Sequence, residues 1–150
     1  MTSYSPRIHA LVIPNSTDKL YGISDSPNLR MLSIPDSITA TGYGYVFRSL
    51  RGLNKLCMPD STTDFGTAAV TGCAGLIKFT IPENVTNITS QMQLFGLREL
   101  HVKPTSPPTL GASLADCVSS DCVVYVPSSS LDTYKGASNW STCASQMQGE

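Results

Sequence analysis

Charged residues are scarce in this 150-residue chain, and those present form no runs. Asp, Glu, Lys and Arg make up 14% of the residues, and the formal net charge is -1. A nucleic-acid surface needs clustered Lys and Arg to displace counterions from phosphate, and an anionic membrane surface attracts polybasic segments. The sequence therefore argues against nucleic acid as a partner and against a polybasic membrane patch.

Long apolar stretches are missing as well. No stretch approaches the roughly 20 apolar residues that a membrane-spanning helix needs, so no membrane span is expected. Residues 1–7 lack the charged-then-apolar order of a secretory signal. We expect either that the mature protein begins here or that a signal and flanking regions belong to a longer chain.

The cysteines lack the pattern of a disulfide framework or a zinc site. There are five of them, an odd number, and they show no repeated close spacing. We expect most of them to be reduced and to pack as small apolar residues, which fits folding in a reducing compartment. They are Cys57, Cys73, Cys117, Cys122 and Cys143.

Proline returns along the chain at nearly constant intervals. Each proline closes a short phrase, such as Leu53-Asn-Lys-Leu56-Cys-Met58-Pro59 or Leu76-Ile-Lys-Phe79-Thr-Ile81-Pro82. A period of 20–29 residues with this leucine pattern indicates a leucine-rich solenoid. The prolines fall 21 to 24 residues apart, at Pro14, Pro35, Pro59, Pro82, Pro104 and Pro127.

Apolar and polar residues alternate at the end of each phrase, which predicts a short strand with one buried face. Proline then ends the strand, because it has no amide hydrogen for a ladder. We predict an α/β repeat fold: a leucine-rich repeat solenoid of about six turns, with a parallel β-sheet on the concave face and turns or helical pieces opposite. The second half of each repeat returns an apolar residue to the core: Phe47, Val70, Leu94 or Phe95, and Leu114.

The end of the chain differs from the repeats. We predict a single domain over residues 1–150, with repeats at about 8–127 and a C-terminal cap at about 128–142. Ser128 and the residues after it read as a helix cap followed by a short helix, and Tyr134 and Trp140 are large enough to cover the end of the apolar column. The N-terminal side shows no comparable cap, so self-association or contact with flanking domains is expected through that edge.

The segment from Leu76 to Ile88 closely resembles the repeat of BspA-like leucine-rich repeat proteins. Cys73 and Cys117 stand where that family places a cysteine just before the next leucine. Residues 107–140 look like its terminal repeat and cap. The resemblance covers about residues 8–142, and it implies a non-catalytic extracellular or cell-surface module used in adhesion and in binding host proteins.

Strand side chains that point away from the core form what we call the strand face, the concave side on which solenoids usually bind partners. Alternation places Ala10 and Val12 on its first strand. The candidate partner-binding residues follow on the next five strands: Met31, Ser33, Lys55, Cys57, Lys78, Thr80, Glu99, His101, Val123 and Tyr125.

Reactive groups do not converge in the sequence. His9 and His101 lie about four repeats apart, too far to share a metal. His101 could approach Cys57 only across intervening strands, roughly 10 Å away by strand spacing, which is too far for a nucleophile–base pair. Gly42-Tyr-Gly44 lacks the remaining residues of a phosphate-binding loop and is interpreted as a turn. We expect no catalytic residue, cofactor or metal. Three acidic residues follow the strand prolines, and we interpret their carboxylates as solvated rather than as ligands of a bound cation. They are Asp36, Asp60 and Glu83.

The favoured function is a non-catalytic binding or adhesion module of cell-surface type that recognises a protein or glycan through the strand face. The alternative is a structural subunit or spacer in a larger assembly, such as a phage virion or a multidomain surface protein. A monomer in solution favours the first, and an oligomer with an interface above about 1,000 Å² favours the second. An enzyme would need a pocket with convergent ionisable groups.

Overall fold

The computed structural model describes residues 7–17, 22–38, 47–65, 70–89 and 92–150. Short strands dominate these ranges, and the ladders between them are parallel. The Gly42-Tyr-Gly44 segment, which was predicted to be a turn, lies outside the described residues. The strands are β1 (Ala10–Val12), β2 (Ile23–Ser24), β3 (Met31–Ser33), β4 (Phe47–Arg48), β5 (Lys55–Cys57), β6 (Asp64–Phe65), β7 (Val70–Thr71), β8 (Lys78–Ile81), β9 (Asn87–Ile88), β10 (Glu99–Val102), β11 (Thr109–Leu110), β12 (Val123–Val126) and β13 (Met147–Gly149).

Each proline phrase forms a strand, as the alternation predicts. These phrase strands pair in the orders β1-β3-β5 and β12-β10-β8, and β13 extends the second sheet beside β12. Their central residues are aligned across the ladders, so that Leu100 lies between Phe79 and Val124. All three side chains are at most 1% exposed, whereas the residues on either side of them point outward. One face of each phrase strand therefore contributes to a column of core residues.

Short strands also form in the second halves of the repeats, after the phrase strands. They pair in the orders β2-β4-β7 and β11-β9-β6. Phe47 pairs with Ile23 and Val70, and all three are buried. In the later repeats Leu94 forms a bridge with Val118. Leu94 is 1% exposed and Phe95 is 58% exposed, so Leu94 is the residue that returns to the core.

Neighbouring repeats approach closely where a glycine precedes the leucine of the phrase. A Cβ atom on Gly96 would lie 2.2 Å from the carbonyl oxygen of Ala74, and one on Gly52 would lie 2.2 Å from that of Pro27. No side chain fits at this distance from backbone, so glycine is required by the packing of one repeat on the next.

Helical segments of the described chain lie towards the C-terminus. The α-helix α1 (Leu131–Gly136) follows a 3₁₀ turn, Ser128–Ser130. The serine cap predicted at Ser128 is absent: Ser128 lies inside the 3₁₀ turn and its hydroxyl donates to the Glu150 carbonyl at 3.3 Å. Ser130, which precedes α1, has φ -115° and ψ 4° rather than the extended backbone of a capping residue, and its hydroxyl donates to the Thr105 carbonyl at 2.6 Å. The 3₁₀ turn thus directs the hydroxyl to the preceding repeat. The other 3₁₀ segments are Leu114–Asp116 and Ser141–Gln146.

Tyr134 and Trp140 are the largest fully buried side chains of the C-terminal segment. Their rings meet edge to face with centroids 5.0 Å apart. The Tyr134 hydroxyl donates to the Pro104 carbonyl, and the Trp140 indole N–H donates to the Pro108 carbonyl, both at 2.7 Å. Both rings therefore bury apolar area while satisfying their polar atoms.

Candidate functional site

The ten predicted face residues lie on neighbouring phrase strands, and each is at least partly exposed. The ladder register arranges them in two rows across the strands. In one row Lys78 pairs with Glu99, and Glu99 with Val123. The other row holds His101 next to Tyr125. The remaining predicted residues continue the rows: Met31 pairs with Lys55, Ser33 with Cys57, and Thr80 with His101.

Three ionisable residues of the strand face contact one another: Lys78, Glu99 and His101. The Lys78 Nζ lies 3.1 Å from Glu99 Oε2, and the His101 Nε2 lies 3.2 Å from the same oxygen. The hydrogen bond with His101 and then that with Lys78 lower the pKa of Glu99. Since these side chains remain in contact with solvent, the pairing orients them more than it stabilises the fold.

His101 is held by groups from three sides. Its Nδ1 lies 2.7 Å from Glu150 Oε2, and Lys103 donates to the other Glu150 oxygen at 2.7 Å. The imidazole stacks on the Tyr125 ring, with centroids 4.6 Å apart and planes inclined by 18°. Because both ring nitrogens of His101 face carboxylate oxygens, only the imidazolium form donates to Glu99 and Glu150 together.

Glu150 is the less exposed of the two carboxylates that contact His101. Burial raises its pKa, but the hydrogen bonds from Lys103 and His101 outweigh burial and hold the pKa below the usual carboxyl range. The result is an ordered patch with an aromatic pair at its centre and charges of both signs around it.

Lys103 and Glu150 were not among the predicted site residues. Glu150 reaches His101 because β13 adds to the sheet beside β12, with Met147 opposite Val124. The segment Met147-Gln-Gly149 carries one apolar residue and no alternation, so it gives no strand signal. Lys103 is marked in the sequence by a different feature. The phrase that begins at Leu97 has one extra residue before its proline, and that residue is Lys103.

The strand face is interrupted between β5 and β8, a boundary that we call the seam. The two strands are adjacent in the order of the phrases, yet they belong to different sheets. A cleft of about 350 Å³ lies over the seam between Lys55 and Lys78. A second cleft of about 800 Å³ continues from Cys57 towards the turn at Glu83.

All five cysteines are unpaired, and all lie in the described ranges. Four of them are buried, and Cys57 on the strand face is partly exposed. Desolvation raises the pKa of the Cys73 and Cys122 thiols to about 11. These two thiols are therefore protonated core residues, which leaves Cys57 as the accessible thiol of the five.

The acidic residues after the strand prolines contact neighbouring turns through backbone groups. The backbone N–H of Asp60 donates to Asp36 Oδ1 at 2.9 Å, and Asn84 donates to the Asp60 carbonyl at 2.9 Å. Thus Asn84, not Glu83, makes the next contact along this edge. Within the described ranges, no group of three His, Cys, Asp or Glu side chains is placed to hold a metal ion.

None of the helices in the described ranges has the length and apolar character that crossing a bilayer requires.

The family model for the BspA type leucine rich repeat region matches residues 4–97, in six copies. A comparison with curated proteins gave no significant match. The family match covers more than half of the chain and agrees with the resemblance seen in the proline phrases. The chain therefore belongs to the BspA-type leucine-rich repeat family.

Proposed function

We propose that residues 1–150 form a single solenoid domain of about six turns with a C-terminal cap, and that it is a non-catalytic binding module. The module recognises a protein or glycan through the strand face and acts outside the cell or at the cell surface. One observation carries this proposal: the stacked His101–Tyr125 pair, fixed between charged partners on an exposed face.

A pre-ordered aromatic and charged patch suits recognition, because little side-chain freedom is lost when a partner binds. Tyr and Arg are frequent anchors of binding surfaces, and aromatic rings carry much of the binding energy. On the strand face Tyr125 is partly exposed and its ring orientation is set by His101. Tyr125 is thus our first candidate for a partner-binding anchor.

The test is binding to arrays of extracellular proteins and glycans, with the double variant His101→Ala/Tyr125→Ala as probe of the face. We expect the variant to weaken any specific interaction by at least about tenfold, in the range of an interface hot spot. Lys135→Ala, at an exposed position on α1, is the matched control. Unchanged binding by the double variant would contradict the proposal.

A structural subunit is the second candidate, favoured by the outer edge of β1. Among the described strands β1 pairs with β3 alone. Val12 is 63% exposed and Ile8 is 41% exposed beside it. An open strand edge with apolar side chains promotes edge-to-edge association.

Light scattering across a range of concentrations separates the two functions. A constant molar mass near 16.0 kDa favours the binding module. A defined oligomer that Val12→Lys dissociates favours the structural subunit, since a charge on an edge strand opposes pairing.

A further inference from the structure

The seam between β5 and β8 is open on the strand face and closed behind it. β5 pairs with β3 and β8 pairs with β10, so none of the ladders in the described ranges uses the backbone groups on the two facing edges. Behind the seam the same two repeats are joined by the β6–β9 ladder, and the Thr86 N–H donates to the Thr63 carbonyl at 2.9 Å. The opening is therefore confined to the face on which partners are expected.

The two clefts over the seam form one groove, because both are lined by Leu56, Cys57 and Thr80. The floor of this groove is apolar: Leu56 is buried, with 6% exposure, and Cys57 and Met58 are partly exposed. The groove runs along β5 from Lys55 past Cys57 and Met58 to Asp60.

The two ends of the groove carry opposite charges. Lys55 and Lys78 line the end where the strands begin, and Asp60 and Glu83 line the end beyond the strands. Lys103 also lines this second end, but its charge is paired with Glu150. Lys78 is paired with Glu99, whereas Lys55 makes no ion pair with any described residue. The free cationic charge at the strand start is therefore that of Lys55.

We propose that this groove binds an extended segment of a partner protein, with an acidic residue at Lys55, an apolar residue over Cys57 and Met58, and a basic residue at Asp60. The apolar floor suits an apolar side chain of the segment, and the charges at the two ends select the order of the flanking residues. A neutral glycan has no charged groups to pair with Lys55 and Asp60, and it has no apolar side chain to place over the groove floor. The inference rests on the proposed function, since it names the partner class of the strand face.

Cys57 provides a direct readout, because it lies in the groove while the other four cysteines are buried. The probe is the blocked peptide Gly-Asp-Thr-Leu-Thr-Lys-Gly at millimolar concentration, and the measurement is the alkylation rate of Cys57 by iodoacetamide, followed by mass spectrometry. We expect the peptide to slow alkylation at least fivefold. The same peptide with Ser in place of Leu should leave the rate unchanged.

Two variants test the charge order, each compared with and without the peptide. Lys55→Glu should abolish protection of Cys57, whereas Lys135→Glu, with the same change of charge at an exposed site on α1, should retain it. Equal protection by the Leu and Ser peptides, or none by either, overturns the groove inference. If His101→Ala/Tyr125→Ala still weakens binding to an identified partner in that case, the proposed function stands and only its assignment to the groove is wrong.

Discussion

Substitution of Gly96 by Ala tests how tightly one repeat packs on the next. The added Cβ would lie 2.2 Å from the Ala74 carbonyl oxygen and 3.1 Å from its carbon, and both are backbone atoms that no rotamer change can move. The two repeats would have to separate locally by about 1 Å to restore an ordinary contact. The Arg98 N–H, which donates to the Ile77 carbonyl at 2.7 Å, is close in sequence and would be stretched.

Overpacking together with a weakened hydrogen bond should lower the free energy of unfolding by about 2–3 kcal/mol. Urea denaturation followed by circular dichroism measures this, provided that the slope of the transition stays constant. Gly136→Ala is the control: nothing lies within 4 Å of its added Cβ. It should be neutral or stabilising by up to about 1 kcal/mol, because Ala favours the helix. A Gly96→Ala protein as stable as the wild type would refute the close packing of repeats.

Three further predictions concern single side chains. Tyr134→Phe should cost about 1–3 kcal/mol in urea denaturation, because the buried Pro104 carbonyl loses its donor at 2.7 Å; a cost near zero would mean that solvent reaches this carbonyl. Because the pKa of Glu150 is lowered in the fold, its ion pairs stabilise above the ordinary carboxyl pKa and this stability is lost as pH falls through the folded value. The stability difference between wild type and Glu150→Gln should therefore be present at pH 7 and shrink towards pH 3, and a constant difference would contradict the role of charge. In the native protein a thiol reagent should modify Cys57 well before Cys73, whose burial raises its pKa to about 11; peptide mapping showing equal rates would contradict the burial of Cys73.

The repeating part of the fold could be predicted because its signal is local and occurs many times. Each phrase, such as Leu76 to Pro82, specifies which side chains are buried and where the strand ends. The two strand-face rows follow from that alternation and the parallel register. The choice between Leu94 and Phe95 could not be made from hydrophobicity, since both suit the core; in the structure Leu94 is the residue on the bridge to Val118.

The parts that the sequence did not predict depend on contacts between distant segments. Glu150 meets His101 across 49 positions, and β13 forms there although its own residues have little strand character. The seam is equally hidden, since the phrases ending at Pro59 and Pro82 look alike while their strands do not pair. A local pattern specifies a strand, but the summed packing of whole repeats determines whether two strands join.

The one-sided closure of the seam has a mechanical consequence. Tension that pulls the N-terminal repeats away from the C-terminal repeats would cross this boundary, where no ladder between phrase strands is formed in the described chain. The described contacts that hold it are the short β6–β9 ladder, backbone hydrogen bonds from Thr86 to Thr63 and from Gln93 to Val70, and side-chain hydrogen bonds from Asn84, Thr86 and Asn87. The next boundary is held by the four-residue register of β8 with β10. In single-molecule pulling, rupture should therefore begin at the seam and leave the C-terminal repeats folded until a higher force, whereas one all-or-none event would show that both boundaries carry load equally.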